Sequence, residues 1–350
     1  MEIISLISTT LTFFSIYFLL SLSLNLEYGY TGLPNFGKVF FFSLGAYTSA
    51  IIASRVLPLI AGIYVNYPFY SAEASTLRIE VAKNNPLIAL LTFVLSLIMS
   101  VVVGATIGYL ISSVLKLRED YFAIGLIIIS ELSRVFIRTE TSIVGGTQGL
   151  GGIPNPFLWI NDVHLMEISY TLLTLVIAVF VYLYVEKLVN SPYGRVLKAI
   201  RDDELATRVL GKKVSLVKSQ VMAVGSAISA IAGCIYAYFI GFIYPDDFII
   251  IWTMYAWLII LLGGVANNKG AFIGSLILLA LDRSLRFVAS SLLLSGLAFD
   301  INYLRGVIIS VTLIVILMFR PRGILQESYI KTPALSVVSE WISKKAKVSR

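Results

Sequence analysis

Apolar residues fill this chain in long blocks, broken by short polar or glycine-containing intervals. A helix needs about 20 mainly apolar residues to cross a hydrocarbon core. The blocks near or above that length are 3–26, 36–60, 86–115, 121–137, 167–185, 215–243, 248–262, 271–289 and 301–319. The pattern predicts an all-α polytopic membrane protein of about eight or nine transmembrane helices, nine unless the first two blocks form one broken segment. The first block is longer than the apolar region of a secretory leader and has neither a basic leader nor a small-residue cleavage site, so it is expected to be retained.

Composition removes the alternatives to a membrane protein. Of 350 residues, 58% are hydrophobic and 13% charged, about half the charged share of a soluble globular domain. The mean hydropathy is +0.88. A soluble enzyme, a disordered chain and a disulfide-stapled secreted domain are excluded. Cys234 is a single cysteine and permits no internal disulfide; His164 is a single histidine, so no metal site is expected. The net charge of +7 is read as loop charge on a membrane protein and not as a nucleic-acid surface. Placing 187–218, the residues after 319, and turns at Lys38, Lys116–Arg118 and Lys269 on one side gathers most of the 27 Lys and Arg there. The opposite loops hold only Arg55, Arg78, Lys83, Arg138, Arg286 and Arg305. The first side is therefore expected to be cytoplasmic, with residues 1–325 as one membrane domain and 326–350 as a basic flexible tail.

Three glycine clusters interrupt the apolar blocks. Between the first two lie Asn25, Glu27, Gly29, Gly32, Pro34, Asn35 and Gly37. Irregular backbone at membrane depth needs protein or a water-filled cavity to satisfy it, and transporters aim such interrupted helices at a substrate; an ordinary inter-helix turn uses the same residues. A second cluster, Gly145, Gly146, Thr147, Gly149, Gly151 and Gly152, reads as a flexible outer loop or as a re-entrant loop at the mouth of a path. It lacks the Lys-Ser/Thr sequel of a phosphate loop. The third, Gly263, Gly264 and Gly270, reads as a cytoplasmic turn. Residues 64–85 read as an enlarged outer loop. Within the blocks, Glu131 and Arg134 are three apart and Asp282 and Arg286 four apart, each on one helix face, and are expected to be structural ion pairs. Gly104/Gly108 and Gly270/Gly274 suit close helix packing.

The stretch after the fifth block is cytoplasmic in this scheme and forms two short amphipathic helices. Ser191-Pro192 opens the first, with Val196, Leu197 and Ile200 as its apolar stripe. Asp202-Asp203-Glu204 starts the second, with Leu205, Val209 and Leu210, before Gly211. Such helices dock on a soluble partner or lie on lipid, and the acidic triplet disfavours anionic lipid.

The same residues carry a family resemblance. Ser191-Pro192-Tyr193-Gly194-Arg195-Val196-Leu197-Lys198-Ala199-Ile200-Arg201-Asp202-Asp203-Glu204-Leu205-Ala206, followed by Leu210-Gly211, resembles the cytoplasmic loop of permeases in branched-chain amino-acid ABC importers. The run Leu24 to Leu33 with Gly45-Ala46-Tyr47-Thr48 is similar to that family's N-terminal glycine-rich motif. Tyr121–Ile124, Glu131, Arg134 and Thr141–Leu150 are similar to its central motif, and 319–325 to its ending. The likeness is closer to the family's M-type subunit than to its H-type. Where the family usually has Gly-His, this chain has Gly37-Lys38.

The resemblance implies an ATP-driven alternating-access importer in the cytoplasmic membrane of a prokaryote. Two ABC ATPase subunits, holding the ATP and Mg, would grip the coupling loop 187–214 at Tyr193, Gly194, Arg195, Ala199, Ile200, Arg201, Asp202, Asp203, Ala206 and Gly211. Partner side chains would approach Gly194 and Ala199 closely. A second permease subunit, homologous or identical, would complete the path, and an extracytoplasmic binding protein would deliver the amino acid. This chain itself would bind no cofactor and do no covalent chemistry. Asn25, Gly29, Gly32, Asn35, Gly37, Gly145, Gly146, Thr147 and Gly149 would line the path. Competing expectations are a permease of the same family for amides, urea or other small polar solutes, an ion-driven carrier using an unpaired carboxylate such as Glu27 or Asp300, and a non-transporting scaffold.

Overall fold

The structure, a computed structural model, describes residues 2–62, 67–115, 119–293 and 323–327, with positions 311, 314, 315 and 318. Helix α1 (Glu2–Leu24) ends in a π-helical turn, Asn25–Gly29. Helix α2 (Lys38–Ile51) continues through a second π-helical turn, Ile52–Val56, and a last turn, Leu57–Ile60. Then come α3 (Ala72–Asn84), α4 (Pro86–Val114), α5 (Glu119–Thr139) and α6 (Val163–Val189). The amphipathic pair is α7 (Pro192–Asp202) and α8 (Glu204–Val209), followed by α9 (Val214–Ile240), α10 (Ile251–Gly263) and α11 (Asn268–Leu293). Among the described residues, six helices are long and apolar enough to span a membrane: Ile3–Gly29, Lys38–Ile60, Pro86–Val114, Val163–Val189, Val214–Ile240 and Pro245–Gly263. Helices α5 and α11 form where blocks were expected but carry more charge, and the block 301–319 lies largely outside the described residues.

Helix α9 is the core of the bundle, because its sequence is small where its neighbours come close. Nearly every residue from Gly225 to Tyr238 is buried, and the helix packs against α4, α2 and α1. A Cβ on Gly45 would collide with the carbonyl of Ala230, and one on Gly233 with the carbonyl of Phe42. Gly104 and Gly108 of α4 meet Ser226, Ala227 and Ala230 in the same way. Lipid offers no hydrophobic drive for helix association, so close packing and interhelical hydroxyl bonds must supply it. Such bonds recur at Ser23–Ser229 (2.8 Å), Ser49–Ser100 (3.1 Å), Ser96–Tyr238 (2.8 Å) and Thr12–Thr171 (3.1 Å). Leu91, Ile98, Val102, Leu132, Phe136 and Phe180 project outward, as lipid-facing side chains do.

The end of the bundle opposite α7 and α8 is more ordered than a loop-rich sequence suggests. Residues 72–84 are helix and not loop, started by Ser71, whose Oγ accepts from the Ala74 amide (3.2 Å). Arg78, assigned to an exposed loop by the charge pattern, is buried. Its guanidinium donates to the carbonyls of Phe69 (2.8 Å), Gly151 (2.6 Å) and Gly152 (3.3 Å), and burial pushes its pKa down to about 10. The second glycine cluster has regular local structure. It folds into a 3₁₀ turn, Gly146–Gln148, and strand β1 (Leu150–Gly151), which pairs antiparallel with β2 (Phe242–Ile243) in the register Leu150↔Ile243.

The close approach at α9 predicts that Gly45→Leu lowers stability by about 1–3 kcal/mol or more. The lipid-facing Val102→Leu should leave it unchanged. Thermal unfolding of the detergent-solubilised protein is the measurement.

Candidate functional site

The break between α1 and α2 satisfies its own backbone. The π-helical turn closes with Tyr30 N–H donating to the Asn25 carbonyl (3.0 Å), and Leu33 N–H donates to that of Glu27 (2.9 Å). Gly32 turns the chain with φ of +77°, after which residues 32–37 run without regular structure. Two asparagines replace the lost helix bonds. Asn25 Oδ1 accepts from the Ala266 amide (2.9 Å), and its Nδ2 donates to Asn268 (3.0 Å), whose own Nδ2 donates to Glu186 (2.7 Å). Asn35 Oδ1 accepts from the Gly37 amide that opens α2 (2.9 Å). The carbonyl of Asn35 accepts from the indole of Trp257 (3.2 Å), and Phe36 stacks on that indole. Gly29 and Gly37 are glycines for space: a Cβ on the first would collide with Asn25 Oδ1, and on the second would lie 2.7 Å from the Leu126 carbonyl.

An ion pair sits inside this break. Glu27 Oε1 and Lys38 Nζ are 2.7 Å apart and both side chains are fully buried. Asn35 Nδ2 donates to Glu27 Oε2 (2.8 Å), Lys38 Nζ also reaches Ser229 Oγ (3.4 Å), and Gly225 of α9 leaves room for the carboxylate. Removing one partner alone would strand a buried charge at a cost of about 3–5 kcal/mol. The sequence pattern took Lys38 for a cytoplasmic turn residue and offered Glu27 as an unpaired carboxylate for ion coupling. Both readings are corrected: the two residues neutralise each other. Eleven residues and an irregular turn separate them, so no helical spacing signals the contact.

The α7–α8 pair lies against the same end of the bundle. Pro192 starts α7 behind the Ser191 cap, Asp203 caps α8 by accepting from the Ala206 amide (2.9 Å), and Gly211 ends it at φ of +81°. Leu197 and Ile200 are buried beneath α7, while Arg195, Ala199, Asp202, Asp203 and Ala206 face outward. Tyr193 is half-buried, with its hydroxyl donating to Gln220 (3.2 Å). Glu204 is held below the usual carboxylate range by hydrogen bonding to Lys218 (2.7 Å). Leu205, Val209 and Leu210 are at least 71% exposed, an apolar strip with no partner among the described residues. Gly194, expected where a partner side chain approaches closely, has tight surroundings within the chain. It is buried, and a Cβ there would collide with the Val189 carbonyl at the α6–α7 junction.

One side chain joins the two features. Arg201 of α7 donates through Nη1 to the carbonyl of Gly29 (2.7 Å), inside the break. Its Nη2 and Lys198 Nζ both meet Glu327 (3.0 Å each), so Glu327 is anchored and is not part of a free tail; residues 328–350 lie outside the described residues. Residues 324–325 are fixed in turn by their amides, which donate to the carbonyls of Leu262 and Gly263 at the end of α10 (2.9 Å each). Gly32 lies against the stem of Arg201.

The structure therefore brings Asn25, Gly29, Gly32, Asn35 and Gly37 together with Arg201. It does not bring Gly145, Gly146, Thr147 and Gly149 to them, because that cluster caps the opposite end of the bundle. Glu131 and Arg134 do pair (2.8 Å), and the pair extends through Asp246 (3.4 Å) to Arg138 (3.0 Å). Asp282 is buried on α11, and the side chain of Arg286 lies outside the described residues.

Comparison with known proteins places this architecture. The family described as the branched-chain amino acid transport system permease component matches residues 6–317. The probable branched-chain amino acid transport permease protein LivM of Methanocaldococcus jannaschii is 32% identical, over 95% of this chain and 96% of its own length. The high-affinity branched-chain amino acid transport system permease proteins LivM and LivH of Escherichia coli are each 24% identical over 89% of this chain, covering 68% and 91% of their own lengths. No solved structure is significantly similar. An apolar bundle with a broken, internally satisfied first helix, matched by this family over most of its length, is a transport subunit and not an enzyme, and the chain belongs to the branched-chain amino acid transport permease family.

Proposed function

We propose that this chain is the membrane-spanning permease of an ATP-driven importer for branched-chain amino acids, working with two ATPase subunits, a second permease subunit and an extracytoplasmic binding protein. The observation that carries the reading is Arg201. A force applied to α7 from outside reaches the broken helix through one charge-assisted hydrogen bond, Arg201 to the Gly29 carbonyl. The exposed strip of Leu205, Val209 and Leu210 gives a soluble ATPase a surface to grip. The α7–α8 end is the cytoplasmic end in this reading, in line with its basic residues, and the cap formed by α3, β1 and β2 faces the binding protein. The ATPase cycle biases a bundle with two arrangements, and α7 transmits that bias. The pairing of Glu27 with Lys38 removes one of the two carboxylates open to an ion-driven carrier; the other, Asp300, lies outside the described residues.

Two measurements test the reading. Leu205→Asp with Val209→Asp should weaken ATPase retention in a detergent pull-down at least about hundredfold, since each buried apolar side chain contributes about 1.5–3 kcal/mol. Retention at the wild-type level would reject the docking surface. Arg201→Met should assemble normally yet lower ATP-dependent leucine uptake about tenfold or more, the value of a hydrogen bond to a charged donor. Normal uptake in that variant would remove Arg201 from the transmission route.

A further inference from the structure

The Glu27–Lys38 pair is costly for a structural contact. Lys38 lies in the first turn of α2, where the helix dipole disfavours a cation. Both charges are fully removed from solvent, and a buried pair of this kind is generally replaceable by apolar side chains without loss of stability. The two partners stand on opposite sides of the irregular stretch 32–37, so they can part without breaking a helix. Among the described residues, Glu27 Oε1 has only Lys38 as its partner. Lys38 Nζ meets only Glu27 and Ser229 among the described residues, which leaves one of its three donors unused.

An α-amino acid carries the same two charges on groups bonded to one carbon. Inserted between the parted side chains, its ammonium replaces Lys38 at Glu27 and its carboxylate replaces Glu27 at Lys38. The site is neutral when empty, because the protein charges cancel, and neutral when filled, because a zwitterion adds no net charge. No uncompensated charge is buried in either state, which is the condition that membrane depth imposes. The apolar group has a place beside this site. Asn35 Nδ2, which binds Glu27, also touches the sulfur of Met222 (3.6 Å), and Met222 packs in a separate apolar cluster with Leu33, Phe40, Phe41, Phe122 and Leu126.

We infer that the buried Glu27–Lys38 pair is the closed form of a binding site for the zwitterionic head of an α-amino acid, with the Met222 cluster receiving an aliphatic side chain. The inference rests on the importer reading above. It is tested in the complete reconstituted importer with the double variant Glu27→Gln/Lys38→Met, which keeps shape and neutrality and strands no charge. The expected result is normal assembly with the KM for leucine raised at least about tenfold, from lost charge-assisted bonds. Leucine uptake by the double variant with wild-type KM and rate overturns the site and leaves the importer reading intact. A wild-type importer that takes up no amino acid overturns both. A second measurement needs no variant. Binding of radiolabelled leucine to the purified wild-type complex should be displaced by valine but not by 3-methylbutylamine or 4-methylpentanoate, each of which carries one of the two charges. Equal displacement by either single-charge analogue overturns the zwitterion site.

Discussion

A helix that stops at membrane depth must have its freed backbone groups and any charge beside them satisfied by protein, and much of this structure follows from that constraint. Helix α1 stops at Asn25, and the residues that answer for it come from four other places. Ala266 and Asn268 meet Asn25, Trp257 meets the Asn35 carbonyl, Lys38 meets Glu27, and Arg201 meets the Gly29 carbonyl. Each contact fixes a separate element against the break: the start of α11, α10, α2 and α7. The break is consequently the junction at which these elements are registered against one another.

Helix α9 supplies the second condition. The small residues Gly225, Ala230 and Gly233 let α1, α2 and α4 come so close that the break is sealed from one side by backbone and not by bulky side chains. Gly225 belongs to both tasks, since the space above it is filled by the Glu27 carboxylate. A packing glycine and an ionic contact are thus the same design feature seen from two helices, and neither can change without the other.

The α7–α8 pair joins this frame with one face and leaves the other open. Leu197 and Ile200 hold α7 to the bundle, Lys198 and Arg201 tie it to Glu327, and the strip from Leu205 to Leu210 remains bare. A surface helix pair that only rested on lipid would have no need for an arginine directed at a carbonyl inside the bundle. The opposite end has a different character. Arg78 binds three carbonyls there and locks the glycine-rich cap to α3.

Much of this was legible in the sequence because hydrophobic length and helix punctuation are local properties. Six of the apolar blocks became the membrane-length apolar helices among the described residues, Ser191-Pro192 and Asp203 gave the starts of α7 and α8, and glycine and proline marked the break at Gly29–Gly37. The spacing of three residues was enough to pair Glu131 with Arg134. What the sequence could not settle were the contacts between segments far apart in the chain. Lys38 looked like a loop charge until α2 was seen to start inside the bundle beside Glu27, and Arg78 looked exposed until α3 was seen folded over the cap. The space beside Gly194 is taken by the Val189 carbonyl, which no local spacing signals. The two glycine clusters looked alike in composition and lie at opposite ends. Composition and periodicity act over a few residues and fix which segments become helices. Which buried charge meets which other depends on how those helices cross, and only the tertiary structure decided that.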